Sequence, residues 1–439
     1  MMSSQIVPQG YKQTKVGVIP EEWEVVRLGD VFDFIKTYSN SRSHLSNVGD
    51  IEYMHYGDIH TKYKFHIDLK NVTLPKILKN RLKGDIQYVQ EGDLIIADAS
   101  EDYTDIGKSV EVANLGDKKL ISGLHTFLLR DKNNNFAHRY KGLLLYNQNV
   151  SKELKKIATG ISVLGVSKTN LGKLFLPLPP LKEQQKIAQI LSTWDSAISK
   201  QEAFIKAKEQ LKKGLMQKLL SGEVRFEGLD GEWEEVRLGD IGEFKTSSVN
   251  KIIDDNEQLV NLVNYMDVYK NKHIDKSFKC SLTSVKANSF DRVRLKKGDI
   301  LFTPSSETPD DIGHSSVIVE DLPNTVYSYH LIRFRPKKIL DIGFSGYVFN
   351  NSSILKEFAR RATGSTRFTL SIKDFNETKA NLPPVKEQQK IAQVLSTADK
   401  EIELLKSELE SLKEQKRGLM QRLLSGDVRV KIFEGVENG

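Results

Sequence analysis

The sequence predicts an α+β protein in which two mixed α/β domains are separated by two long antiparallel coiled-coil helices, arranged as a pseudo-twofold tandem duplication. Three observations predict this fold. Segments of the first half return almost unchanged in the second half, part of each repeat carries heptad spacing, and short β-type runs occupy the divergent stretches between the repeats. The organisation is therefore two copies of one unit.

The repeated segments lie at nearly constant offsets. LPPLKEQQKIAQILST from Leu178 returns as LPPVKEQQKIAQVLST from Leu382, and WEVVRLGDVFDF from Trp23 returns as WEEVRLGDIGEF from Trp233. Such self-similarity is the signature of repeated structural units. The predicted segments are an N-terminal segment (1–20), a first domain (21–178), a first helix (179–222), a second domain (223–382), a second helix (383–426) and a C-terminal tail (427–439).

Each repeated segment that follows a proline pair is predicted to form one long helix. Proline is tolerated in the first helical turn, and the Ser-Gly pairs at 221–222 and 425–426 supply the stops. A helix of about 40 residues spans on the order of 60 Å. With one apolar stripe it needs a partner, and we expect the two helices to pair, although packing of each helix on its own domain is the alternative. The seam residues are Ile187, Leu191, Trp194, Ile198, Ile391, Leu395, Ile402, Leu405, Leu409 and Leu412.

Polar residues interrupt both heptad seams. One lysine breaks the second seam, and three polar residues break the first. These interruptions are Lys416, Gln201, Lys208 and Lys212.

The two divergent bodies carry short apolar runs bounded by turn residues. DLIIADA (93–99) and HTFLLR (125–130) in the first body, and DILFTP (299–304) and LIRFRP (331–336) in the second, are typical of strands. LGDVFDFI and LGDIGEF are compatible with a strand or a short helix. We therefore expect each body to be a mixed α+β domain.

The composition is that of a globular protein and weakly favours a nucleic-acid partner. The chain has 439 residues, 39% hydrophobic, with a formal net charge of +7. Cys280 is its one cysteine, which excludes an intrachain disulfide and a cysteine-built zinc site. The first 20 residues lack the apolar core of a signal peptide, and no run of eighteen apolar residues occurs. We therefore expect a cytoplasmic protein without a membrane span.

A search for catalytic motifs gives no match. Gly107-Lys108-Ser109 resembles the end of a phosphate-binding loop, but the required upstream glycine is replaced by Asp102. The second copy has a histidine, His314, in place of the lysine. We find no Asn/Asp-Pro-Pro-aromatic motif of a base methyltransferase, no glycine-rich loop for S-adenosylmethionine and no histidine spacing typical of metal ligands. We therefore predict no catalytic site and no metal site.

LPPLKEQQKIAQ, a long helix ending in LMQKLLSG, and WEVVRLGD at the start of a body, all present twice, resemble Type I restriction-modification specificity subunits. The resemblance covers almost the whole chain. It implies two target-recognition domains, each reading one half of a bipartite double-stranded DNA site. It also implies spacer helices that hold the domains apart and dock two modification (methyltransferase) subunits, which restriction subunits join. The chain would then be non-catalytic, with S-adenosylmethionine, ATP and Mg²⁺ belonging to the partner subunits.

Two other interpretations stay open. The chain resembles the recognition part of a methyltransferase-endonuclease type enzyme, or it is a coiled-coil adaptor without a DNA role. The unchanged Glu-Gln-Gln triplets (183–185 and 387–389) either cap the helices or contact the methyltransferase. The sequence does not separate these roles.

DNA contacts are predicted in two loops that recur in both bodies. One loop surrounds a shared Asp-Ile-Gly, and the other follows a shared Ala-Thr-Gly; both carry hydroxyl and cationic residues suited to phosphates and base edges. A structural turn is the alternative for the first loop, and helix capping for the second. The candidates are Ser100, Tyr103, Lys108, Ser306 and His314 in the first loop, and Thr159, Ser162, Lys168, Thr363, Thr366, Arg367 and Lys373 in the second.

Overall fold

The computed structural model describes residues 7–431, so the ends of the predicted N-terminal segment (1–6) and C-terminal tail (432–439) lie outside the described residues. The chain divides into two compact units. Unit 1 comprises Met1–Lys200 and Leu409–Gly439, and unit 2 comprises Gln201–Glu408. Each unit therefore holds one mixed domain and one part of each long helix.

Unit 1 contains strands and short helices in alternation. Its strands are β1 (Tyr11–Thr14), β2 (Gly17–Pro20), β3 (Glu24–Arg27), β4 (Phe32–Ile35), β5 (Ile51–Met54), β6 (Phe65–Asp68), β7 (Lys76–Ile77), β8 (Leu94–Ala97), β9 (Ala99–Ser100), β10 (Ser109–Ala113), β11 (Leu120–Ser122), β12 (Thr126–Asp131), β13 (Leu164–Gly165) and β14 (Phe175–Leu178). Its helices are α1 (Leu28–Val31), α2 (Tyr56–Thr61), α3 (Gln148–Ile157) and α4 (Lys168–Gly172), and the long α5 (Leu181–Ser221) begins in it.

Unit 2 repeats the plan of unit 1. Its strands are β15 (Glu234–Arg237), β16 (Gly242–Thr246), β17 (Gln258–Val263), β18 (His273–Ile274), β19 (Ser281–Val285), β20 (Ile300–Phe302), β21 (Ser305–Ser306), β22 (Ser315–Ile318), β23 (Thr325–Tyr327), β24 (Ile332–Pro336), β25 (Phe368–Thr369) and β26 (Lys379–Leu382). Its helices are α6 (Leu238–Ile241), α7 (Tyr265–Lys270), α8 (Ala287–Val293), α9 (Ile342–Val348), α10 (Ser352–Arg361) and α11 (Ile372–Glu377), and the long α12 (Val385–Ser425) begins in it.

The two units share one sheet topology. A five-stranded sheet has the order β4-β12-β8-β10-β6 in unit 1 and β16-β24-β20-β22-β18 in unit 2, with one parallel pair at the same edge of each. A three-stranded sheet accompanies each (β11-β5-β7 and β19-β17-β23), and a two-stranded sheet joins β13 to β9 and β21 to β25. The predicted tandem duplication of a mixed α/β domain is confirmed.

Both faces of the five-stranded sheet are buried, which explains the continuous apolar runs in the sequence. In unit 1, Leu94 and Ile96 belong to the core that includes the helices, whereas Ile95 faces the core shared with the three-stranded sheet. Unit 2 divides Ile300 and Leu301 between two cores in the same way. Successive side chains of a strand point to opposite faces, so a doubly covered strand needs apolar residues at every position.

Helices α5 and α12 each contain 41 residues and pair antiparallel within each unit. In unit 1, Ile187 and Leu191 share a core with Met420 and Leu423. The glycines that follow the helices, Gly222 and Gly426, have φ of +76° and +80°, the left-handed conformation that ends a helix. All ten predicted seam residues are buried or half-buried.

The polar interruptions of the seam are paired between the helices. In unit 2, Lys208 Nζ lies 2.6 Å from Glu401 Oε1, and Lys212 forms an ion pair with Asp399. In unit 1, Lys416 forms the equivalent ion pair with Asp195 and lies over the Phe65 ring, 4.4 Å from its centroid. Lys212–Asp399 and Lys416–Asp195 occupy matching positions of the two copies. Each unit therefore has one lysine, half-buried in unit 2 and buried in unit 1, that is matched to one register of the helix pair.

The first two residues of each Glu-Gln-Gln triplet have a structural role. Glu183 is fully buried and accepts hydrogen bonds from Trp23 Nε1 (2.9 Å) and from Arg429 Nε (2.8 Å). The Gln184 amide donates to the Pro179 carbonyl oxygen at 2.8 Å, which ties the proline pair to the helix start. Gln185 is exposed.

Unit 2 repeats these hydrogen bonds at the start of its own long helix, with Glu387 in place of Glu183. Glu387 accepts from Trp233 Nε1 at 3.1 Å and from Arg225 Nε at 3.0 Å. Arg225 follows the first long helix and Arg429 follows the second. Each unit therefore closes the start of one long helix with the arginine that follows the other.

Candidate nucleic-acid interface

In unit 1, the two predicted loops lie side by side. Strand β9 pairs with β13 through Ser100↔Leu164, so the Asp-Ile-Gly loop and the Ala-Thr-Gly loop meet although they are far apart in sequence. Thr159 and Gly165 exchange backbone hydrogen bonds of 2.9 and 2.8 Å, which close a short hairpin. The tip of this hairpin, residues 160–163, is exposed.

Unit 2 builds the same arrangement. Strand β21 pairs with β25 through Ser306↔Phe368, and Thr363 and Thr369 exchange backbone hydrogen bonds. Arg367, at the tip, is exposed and donates from Nη2 to Ser305 Oγ at 3.2 Å. The two loops singled out in the sequence thus form one surface in each unit.

The predicted residues of the Asp-Ile-Gly loop are mostly engaged within the protein. Ser100 and Ser306 are buried, and each hydroxyl donates to a backbone oxygen two residues ahead, which favours the structural-turn alternative for both. Lys108 is held by the His60 carbonyl (2.9 Å) and Asp105 (2.7 Å). His314 bonds Asp311 at 2.9 Å. Tyr103 is half-exposed, and its hydroxyl donates to the Lys155 carbonyl oxygen at 3.3 Å.

The predicted residues of the second loop are exposed. The structure places Thr159, Ser162, Thr363, Thr366 and Arg367 at or beside the two hairpin tips. The two cations that follow lie on the next short helices. Lys168 is over the Phe34 ring, 4.9 Å from its centroid, and Lys373 is 3.8 Å from Glu377.

Sequence reasoning missed an aromatic and histidine cluster next to the hairpin of unit 1. His125, in the loop before β12, packs edge-on to Tyr56 with ring centroids 5.3 Å apart, and its Nδ1 lies 3.3 Å from Asp98 Oδ1. The His55 ring also packs against Tyr56, with ring centroids 4.6 Å apart. Burial lowers the pKa of His55, and Arg42 lowers it further. Asp98 directly precedes β9, and its carbonyl oxygen accepts from the Val166 N–H at 2.9 Å, so the cluster is linked to the strand that follows the hairpin tip.

In unit 2, His330 occupies the place that His125 has in unit 1. His330 precedes β24 as His125 precedes β12. Burial lowers the pKa of His330, and the positive charges of Arg367 and Lys251 lower it further. Tyr265, which begins α7 as Tyr56 begins α2, donates to the Ser305 carbonyl oxygen at 2.7 Å.

The register of strands β12 and β24 shows that the two histidines are equivalent. Arg130 forms a bidentate ion pair with the buried Asp93, and Arg335 forms the same pair with the buried Asp299. When these two ion pairs are superimposed, His125 in unit 1 is equivalent to His330 in unit 2. The sequence carries the same spacing, since His125 and Arg130 in HTFLLR correspond to His330 and Arg335 in HLIRFR.

Two properties of the described residues complete the description. Between residues 7 and 431, no three or more His, Cys, Asp or Glu side chains are grouped as a metal ion would require. Within the same range, none of the helices has the length and apolarity needed to cross a membrane.

The comparison with known families decides the identity of these repeated domains. The profile of the Type I restriction modification DNA specificity domain matches residues 20–207 and again 230–414. The chain belongs to this family. It is a DNA sequence-specificity subunit of a Type I restriction-modification system, as the resemblance of its repeated segments predicted.

Relatives of this specificity subunit align with it from end to end. The Type I restriction enzyme MjaVIII specificity subunit of Methanocaldococcus jannaschii is 27% identical over 428 residues, covering 94% of both chains. The Type I restriction enzyme EcoKI specificity subunit of Escherichia coli is 22% identical over 451 residues, covering 95% of this chain and 90% of the relative. The duplication is therefore matched over nearly its full length.

A solved structure shares the fold. It belongs to a study of complex assembly and conformational transition of the type I R-M system, matches with a TM-score of 0.58 at 16% identity, and covers 93% of this chain and 99% of the other. The predicted two-domain, two-helix fold class is confirmed.

Proposed function

We propose that each unit reads one half of a bipartite double-stranded DNA site through its hairpin tip and the cluster beside it. The observation that carries this proposal is the construction of the same exposed surface twice, from loops far apart in sequence. Divergent residues on a shared backbone allow the two half-sites to differ. Base edges and phosphates are the partners that exposed Arg, Lys, Ser and Thr side chains suit.

The long helices serve as the spacer and as the docking platform for two methyltransferase subunits, with restriction subunits joining the full complex. Two observations support this. The paired polar residues of the seam favour one register, which would fix the separation of the half-sites. Large apolar side chains of both helices, Phe204, Leu211 and Leu404, are exposed in unit 2. Such residues are typical of surfaces that another protein covers.

The chain contributes recognition and assembly, and catalysis belongs to its partners. The absence of catalytic motifs in the sequence supports this division. S-adenosylmethionine, ATP and Mg²⁺ are then bound by the methyltransferase and restriction subunits. The complex works in the cytoplasm, where a free thiol such as Cys280 stays reduced.

The test is co-expression with the modification subunits of its own system, followed by single-molecule sequencing of methylated adenines in the host DNA. We expect methylation at one asymmetric gapped motif that disappears when this chain is omitted. Exchange of the unit 1 domain for that of a relative is the matched variant, and it should change one half-site only. Methylation that persists without the chain would overturn the proposal, and methylation by the purified chain alone would assign catalysis to it.

A further inference from the structure

The two hairpin tips share one backbone. Gly160 and Gly364 have φ of +136° and +142°, and a Cβ at either would lie within 2.1 Å of a backbone carbonyl oxygen across the loop. Only glycine fits both the conformation and the space. The repeated Thr-Gly is therefore explained by the turn, and the three residues that follow each glycine are held in equivalent places.

The side chains carried by these equivalent backbones are chemically opposite. The tip of unit 1 continues Ile161-Ser162-Val163, in which Ile161 is fully exposed and Val163 is 53% exposed. The tip of unit 2 continues Ser365-Thr366-Arg367, all exposed. An apolar tip in one unit thus corresponds to a polar, cationic tip in the other.

The apolar tip of unit 1 has no packing role inside the protein. Exposed single apolar residues are common, but Ile161 and Val163 are both β-branched and lie two residues apart on one tight turn. The apolar group that double-stranded DNA offers in its major groove is the thymine C5-methyl. Loss of one such contact changes affinity by about four-fold, from the free energy of burying one methylene-sized group.

The tip of unit 2 is suited to guanine. Arg367 donates from Nη2 to Ser305 Oγ at 3.2 Å, and its positive charge helps to lower the pKa of His330. The guanidinium fork matches guanine O6 and N7 in the major groove. A bidentate contact of this kind discriminates between bases by about 5- to 150-fold.

We propose that the hairpin tips are specificity-determining elements: Ile161 and Val163 read thymine methyl groups in the half-site of unit 1, and Arg367 reads a guanine in the half-site of unit 2. This inference rests on the proposed function, in which each unit reads one half-site. It assigns a different base chemistry to each unit from the side chains that the shared turn presents.

The test exchanges the tips and substitutes the bases. Ile161→Ser with Val163→Arg places the unit 2 chemistry on unit 1, and Ser365→Ile with Arg367→Val does the reverse. Each variant is co-expressed with the modification subunits, and the methylated motif is determined by sequencing. We expect the first variant to change one half-site from thymine towards guanine and the second to lose a guanine in the other half-site.

A binding assay on the unaltered protein tests the same idea without risk of misfolding. The complex of this chain with the modification subunits is titrated with duplexes of the sequenced motif in which single thymines are replaced by uracil, which lacks the C5-methyl group. We expect uracil at one position to weaken wild-type binding about four-fold, and the Ile161→Ser, Val163→Arg variant to bind both duplexes alike.

The outcomes separate the inference from the proposed function. An unchanged motif in both exchange variants, with equal binding of thymine and uracil duplexes, would overturn the reading role of the tips while leaving the chain as the specificity determinant. Methylation that does not depend on the chain would overturn both. A changed motif confined to the expected half-site supports both.

Discussion

The buried Glu183 carboxylate gives a sharp test of how the long helices are anchored. Glu183→Ala removes the acceptor for Trp23 Nε1 and Arg429, and Trp23 is fully buried, so its N–H cannot turn to water. Breaking a buried pair from one side costs about 3–5 kcal/mol. Glu183→Gln keeps an acceptor oxygen, and Arg429 stays partly exposed with a second partner, Glu22, at 2.7 Å. We therefore expect the smaller loss of about 1.5–3 kcal/mol for a charged hydrogen bond.

The assay is thermal unfolding of the full chain. For a domain of roughly 150–250 residues, each kcal/mol shifts the midpoint by about 2–4 °C, so Glu183→Ala should melt roughly 6–20 °C below the wild type. Glu387→Ala is the matched variant in unit 2, and Gln185→Ala, an exposed neighbour, is the control that should change the free energy of unfolding by no more than about 0.5 kcal/mol. An unaltered midpoint for Glu183→Ala, with loss of methyltransferase binding, would refute the anchoring role and restore the docking interpretation.

Two further predictions concern the helix seam and the single thiol. Lys416→Met combined with Asp195→Leu should retain the stability of unit 1, because apolar residues often replace both partners of an ion pair without loss. Lys416→Glu instead places a second carboxylate beside Asp195 and should cost about 3 kcal/mol or more in chemical denaturation. Equal effects of the two variants would contradict this. Burial, helped by the Asp267 carboxylate, raises the pKa of the Cys280 thiol from 9.0 to about 11. The folded protein then holds a proton that the unfolded chain releases, so its free energy of unfolding should fall between about pH 9 and 11, and Cys280→Ala should remove that slope. A Cys280 that reacts with a thiol reagent at pH 8 as fast in the folded as in the unfolded chain would disprove the shift.

Local patterns predicted the helices well because helix ends and faces depend on nearby residues. The proline pairs before Leu181 and Val385, and the glycines after Ser221 and Ser425, set the boundaries through constraints on φ that act within one turn. The heptad spacing likewise identified the buried stripe. The ambiguous LGDVFDFI and LGDIGEF segments are now explained, since each holds a short helix followed by a strand.

The candidate interface was predicted only in part. The recurring Ala-Thr-Gly located the hairpins because the turn needs glycine in both units. It did not point to His125 and His330, because these residues lie before β12 and β24, far in sequence from the hairpins. Ser100 and Ser306 are buried and bonded within local turns, a role that a serine hydroxyl fills as readily as a phosphate contact.

The sequence by itself determined the duplication, the two mixed domains, the long helices and the family, because repeats, periodicity and end signals are local properties of the chain. Only the tertiary structure decided which partners meet. Glu183 could have bonded Arg225 of its own copy, yet it bonds Arg429, because antiparallel helices bring the end of one to the start of the other. The tertiary structure also decided that the hairpin tips are equivalent surfaces, because distant strands pair in the same way in both units. At these tips, one unit presents an isoleucine where the other presents polar residues and an arginine.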